Sequence, residues 1–135
     1  MNLELSKKQF RLLLDMIYIG NWVLNSTRGT DRITDYDEVE SEVFSKCAEN
    51  GMGALSENVN GAVRPSRAFS EGGIHEAIMD YEDTVFFEIL AEELARRDMQ
   101  TEGVGQEDVE ELVKRVGEYT LEFEANGLEN INIEI

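Results

Sequence analysis

The segment from Phe10 to Leu24 is apolar on almost every side of a helix, with Leu12, Leu13, Leu14, Met16, Ile17, Ile19 and Val23 leaving a single polar stripe. Such a helix is stable only where other elements cover most of its circumference, so the rest of the chain is expected to wrap around it. Its start is marked by Ser6-Lys7-Lys8-Gln9, which has the form of a capping box: the serine oxygen accepts from a free helix-start N–H and the glutamine reaches back to the cap. The stripe that escapes burial carries Arg11, Asp15, Tyr18 and Trp22, with Lys8 beside it, so the only tryptophan sits on the most polar face of the most apolar helix.

The elements that follow are legible from periodicity and turn chemistry. Asn25 to Asp31 reads as a turn in which Gly29 is free to take a positive φ, and Thr34 or Asp35 is placed to cap a second helix that runs to Asn50-Gly51. Val39, Val43, Phe44 and Cys47 are its apolar face. Five glycines and the only proline, Pro65, fall in 51–73, where helical periodicity fails, and Asn60-Gly61 between Val59 and Val63 is a tight-hairpin signal. A third helical region runs from Ile74 to about Asp98, with a candidate break at Glu82-Asp83 and i,i+4 pairs Glu92–Arg96 and Glu93–Arg97. A fourth carries Val109, Leu112, Val113, Val116 and Phe123 on one side, and Glu110–Lys114 and Glu111–Arg115 on the other, before Asn126-Gly127 stops it. The termini, Leu3-Glu4-Leu5 and Asn130 to Ile135, alternate as half-buried strands do. Neither is stable alone, so they are expected to pair, and deletion of 130–135 is expected to destabilise the whole domain. The fold class expected is α+β, mostly helical: four helical regions and a small sheet from the N- and C-terminal strands, which the 59–63 hairpin is a candidate to join.

Charge separates the chain into a mildly basic start and an acidic remainder. Residues 1–34 hold five basic and three acidic side chains, whereas the whole chain of 135 residues has a formal charge of −17. The N-terminal element is therefore attracted to everything after it, which favours one cooperative domain over 1–135, with no Pro/Ser-rich linker to divide it. The same charge repels phosphate backbones and excludes nucleic acid as the expected partner. The longest apolar run, Met16 to Ile19, is far below the roughly 20 residues of a membrane span. One cysteine and an N-terminus without a signal-peptide layout point to a reducing cytoplasm.

No catalytic motif stands out. His75-Glu76, with Asp80, Glu82 and Asp83 nearby, lacks the further histidines or the Glu-x-x-His spacing that zinc or di-iron needs, so no metal and no cofactor are expected, and His75 reads as a capping or solvent-facing residue. Glu88 and Glu92 track a solvated helix face. Cys47 lies on an apolar stripe and reads as buried and inert. Gly51-Met52-Gly53 and Gly103-Val104-Gly105 lack the context of a phosphate loop. Arg64, Arg67, Ser70 and Gly72-Gly73 leading into a helix start form a candidate anion site, with internal ion pairing as the competing reading.

Tyr18-Ile19-Gly20-Asn21-Trp22-Val23 and Tyr81-Glu82-Asp83-Thr84-Val85-Phe86-Phe87, with Ala95-Arg96-Arg97-Asp98 beyond, resemble a family of small bacterial proteins with no assigned function. The resemblance implies no activity, cofactor or site.

The function expected is that of a non-enzymatic, acidic cytoplasmic interaction protein that self-associates as a homodimer or binds another protein, with Arg11, Tyr18 and Trp22 as the partner-binding residues. The competing reading is a small anionic-ligand-binding protein or weak enzyme using Arg28, Arg32, Arg64 and Arg67. A third, an acidic DNA mimic, rests on charge alone.

Overall fold

In a computed structural model, which describes residues 1–135, four long helices and one two-stranded antiparallel sheet are connected in the order α1 (Lys7–Asn25), α2 (Thr34–Phe44), β1 (Ser56–Val59), β2 (Ala62–Pro65), the single turn α3 (Arg67–Phe69), α4 (His75–Glu102) and α5 (Val109–Asn126). The α+β, mostly helical class read from the sequence is the observed one. The chain divides into two compact units, 1–78 and 79–135, and α4 begins in the first and continues into the second. No helix is long and apolar enough to cross a membrane.

The first unit is built on α1. Its capping box forms as expected, with Ser6 Oγ accepting from Gln9 N–H at 3.1 Å and Gln9 Oε1 accepting from Ser6 N–H at 2.9 Å. Phe10 and Leu14 enter a core with Phe44, Cys47 and Phe69. The Phe44 and Phe69 rings meet edge to face, 5.1 Å apart.

α1 is covered on one side rather than on most sides. Leu12, Met16 and Val23 remain exposed at 53%, 71% and 59%, while the stripe expected to face water is half-buried. The reason lies in the partner surface: the Arg11 guanidinium lies 5.1 Å over the Phe69 ring, and Tyr18 packs edge to face on Phe69 at 5.2 Å. Tyr and Arg have apolar bodies, so a contact that a polarity count assigns to solvent can be made inside.

Beyond α1 the chain is anchored by one buried amide. Asn25, 1% exposed, donates to Ile33 C=O at 3.1 Å and accepts from Ile33 N–H at 2.8 Å, and also donates to Asn21 Oδ1 at 2.7 Å. The side chain therefore does for Ile33 what a neighbouring strand would do, satisfying both backbone groups of a loop residue. Gly29 does not use a positive φ, and neither Thr34 nor Asp35 caps α2: Ile33 stands at the cap without a side-chain bond, and Asp35 and Asp37 supply negative charge in the first turn instead. α2 ends at Phe44, short of the expected boundary; tighter turns carry the chain to Asn50, and Gly51 closes it in the left-handed region at φ 74°.

The hairpin forms at Asn60-Gly61, whose φ values of 53° and 85° are those of a type I′ turn. Its register pairs Ser56 with Pro65 and Glu57 with Arg64. Ser66 then caps α3: its Oγ accepts from Phe69 N–H at 3.2 Å and donates to Ala54 C=O at 2.6 Å, which delivers Phe69 to the core.

In the second unit α4 runs unbroken through Glu82-Asp83, where Thr84 stays helical and donates to Asp80 C=O at 2.9 Å. α5 returns antiparallel along it. Phe87 and Phe123 meet at 5.5 Å, Tyr119 donates to Asp98, and Arg115 bridges Glu102 and Glu111. Glu92–Arg96 forms as expected, whereas Arg97 turns to Asp98 instead of Glu93.

The terminal strands do not form. Residues 1–6 and 131–135 have no strand partner, and Ile133 and Ile135 are exposed at 79% and 119%. The hairpin is the whole sheet. Alternation alone does not make a strand; it needs a partner to pair with and a face to bury, and the exposed tail has neither.

Two outcomes follow. Deleting 132–135 should move the thermal midpoint by less than about 2 °C, because no buried contact is lost. Asn25→Ala should cost about 2–3 kcal/mol in urea unfolding, since it strands the Ile33 N–H and leaves the Ile33 C=O only the longer bond from Tyr36 N–H, and Asn25→Asp, which sets a buried carboxylate oxygen against the Asn21 and Ile33 oxygens, should cost at least as much at neutral pH.

Candidate functional site

The Asn25–Asn21 pair continues outward into a charged network. Asn21 donates to Asp37 Oδ1 at 2.9 Å, and Arg32 grips both Asp37 oxygens, Nε to Oδ2 at 2.7 Å and Nη2 to Oδ1 at 2.6 Å. This fork-to-fork geometry is the strong form of an Arg–carboxylate pair. The Arg32 hydrogen bonds, with help from Asn21, hold the Asp37 carboxyl below its ordinary range despite some desolvation.

Beside this pair, Tyr18 of α1, Glu40 of α2 and Arg64 of β2 line a cleft of about 500 Å³ together with Arg32 from the α1–α2 loop and Ser70 after α3. Tyr18, Arg32 and Glu40 also line a smaller recess of about 170 Å³ that reaches Trp22. Glu40 is half-buried, and its carboxyl is pushed above its ordinary value, first by burial and then by the charge of Asp37; Asn21 and the two arginines only partly offset this. Tyr18 is also pushed up, by burial and then by Glu40.

The Tyr18 hydroxyl lies 2.6 Å from His75 Nε2. With Nε2 unprotonated the phenol donates; with an imidazolium the direction reverses. The His75 ring stands edge to face with Tyr18 at 5.5 Å and with Trp22 at 6.3 Å. His75 is thus neither a cap nor a solvent-facing residue. Gly73, at φ 107°, makes the bend that brings it there, a conformation that favours glycine.

Of the residues singled out in the sequence, Arg11 bonds Asp15 at 2.6 Å and covers Phe69, and Tyr18 and Trp22 are half-buried around His75. The four arginines do not converge. Arg28 bonds Asp31 and Leu24 C=O, and Arg67 pairs with Glu71 at 2.7 Å; only Arg32 and Arg64 line the cleft. Cys47 is fully buried, and burial pushes its thiol up.

The sequence singled out neither Asn21, Asp37 and Glu40 as cleft residues nor His75 as the partner of Tyr18. Two asparagines at i,i+4 in an apolar helix were the signal for Asn21. Nothing local signals His75, 57 residues from its partner.

No protein-family model, curated protein or solved structure matches the chain.

Because the folded pKa of Glu40 lies above its unfolded value, the native state keeps a proton over a window where the unfolded chain has lost it. Stability therefore falls as pH rises through that window, and the cost is complete above it. Glu40→Gln should raise the melting midpoint at about pH 7, and the difference from the native chain should disappear by about pH 4.

Proposed function

We propose that this chain is a non-enzymatic, acidic interaction protein that pairs with a second copy of itself through the outer face of α1. One observation carries the reading: Leu12, Met16, Ile19 and Val23 follow one another at spacings of four, three and four residues, and three of them are exposed. That is the a/d spacing of a coiled-coil seam, placing the four side chains within about 60° of one another on the side opposite the core.

Charge favours a second copy as the occupant. α1 contains one acidic residue, Asp15, and Arg11 neutralises it, whereas the chain as a whole is at −17. Two such molecules meeting elsewhere would bring carboxylates together; meeting at α1 they need not. A two-fold pairing uses the same patch twice, so one unpartnered face satisfies both copies. Arg11 and Tyr18 already have partners inside the fold, so the apolar stripe is the better seat for the contact than the aromatic one. The cytoplasm remains the expected compartment for a chain with one buried thiol.

Light scattering at micromolar protein should give the mass of a dimer. Met16→Glu should weaken it at least about tenfold, or about 1.4 kcal/mol, without unfolding an already exposed position. Val39→Glu, on the exposed side of α2, should leave the mass unchanged. A monomer throughout the accessible concentration range would overturn the reading.

A further inference from the structure

The cleft between α1, α2 and β2 contains two opposite charges, Glu40 and Arg64, that form no ion pair with each other or with another group, although Asn21 hydrogen-bonds the Glu40 carboxyl. Glu40 and Arg64 both line it, and neither has an ion-pair partner within 4.0 Å. They do feel each other, since Arg64 acts on Glu40 through space. The remaining pair in the cleft, Arg32 with Asp37, is closed on itself by two hydrogen bonds. A ligand therefore finds one unpaired carboxylate, one unpaired guanidinium, and a gap between them.

A simple anion would pair with Arg64 but face both Glu40 and Asp37. A simple cation would pair with Glu40 but face Arg64 and Arg32. Only a molecule carrying both charges satisfies both walls. The recess of about 170 Å³ beside Trp22 opens from the same residues and offers Tyr18 and the indole for apolar contact, among the polar side chains of Asn21, Asn25, Ser26, Arg32 and Glu40. The geometry points to a binding site for a free amino acid with an apolar side chain: its ammonium on Glu40, its carboxylate on Arg64 and its side chain in the Trp22 recess.

Trp22 is the only tryptophan, so its fluorescence reports the recess directly. L-leucine should give a saturable change. N-acetyl-L-leucine, which lacks the ammonium, and L-leucinamide, which lacks the carboxylate, should each bind at least about tenfold more weakly, the cost of one lost charge-assisted contact. Glu40→Gln and Arg64→Gln should each weaken L-leucine binding by a similar factor, and Arg67→Gln, outside the cleft, should not. Since Glu40→Gln is expected to be more stable than the native chain at neutral pH, loss of binding in it does not come from unfolding. Met16→Glu should bind as the native chain does, which separates this site from the α1 seam. Absence of a saturable response to L-leucine, equal binding of N-acetyl-L-leucine, or unchanged affinity in Glu40→Gln would each overturn the proposal.

Discussion

The packing of Phe10 and Leu14 onto Phe44 and Phe69 is the contact on which the rest of the first unit depends. A helix has one rotational setting. With Phe10 and Leu14 inward, the 100° step per residue brings Asn21 and Asn25 to the same side, points Leu12, Met16, Ile19 and Val23 away, and leaves Arg11, Tyr18 and Trp22 on the flank. The buried amide ladder, the half-buried aromatics and the bare apolar seam are thus three consequences of one choice. Losing Leu14, fully buried, would be expected to cost about 2–5 kcal/mol and to loosen all three together.

That setting also explains why polar residues lie where a polarity pattern would not put them. Asn21 and Asn25 are buried because each finds complete hydrogen-bonding partners there: Asn25 on Ile33 and on Asn21, and Asn21 on Asp37. No buried side-chain nitrogen or oxygen is left without a partner. The ladder ends at the Arg32–Asp37 fork, so the cleft wall is rigid at its base, while the neighbouring Glu40 and Arg64 stay uncommitted. Rigidity next to unpaired charge is the arrangement in which a ligand need not pay to order its own site.

The second unit is held differently. Its contacts are ring on ring at Phe87 and Phe123, the hydrogen bond from Tyr119 to Asp98 and the ion pair of Arg115 with Glu102, with Asp98, Arg115 and Tyr119 half-buried. The ring contact and these part-buried polar pairs together hold α4 to α5. Phe86 and Ile89 remain half-exposed on α4, outside that contact.

Local signals alone determined the elements whose causes are local. The Ser6-Gln9 box starts α1, Asn60-Gly61 turns the hairpin because both residues tolerate positive φ, and the mostly helical class follows from the 3.6-residue periodicity. Where the cause lay elsewhere in the chain, the sequence was silent or pointed the wrong way. The period-two tail, Ile131, Ile133 and Ile135, has the pattern of a strand but pairs with none. The outward seam of α1 looks like core until Phe69 and His75 take the other flank. The union of Glu40, Arg64 and Tyr18 around one cleft depends on α2 and β2 packing together. Helix starts and tight turns are decided within a few residues, by hydrogen bonds and allowed φ. Which face of a helix is buried, and which distant charges share a cavity, is decided by the surface that arrives to cover it, and only the tertiary structure contains that surface.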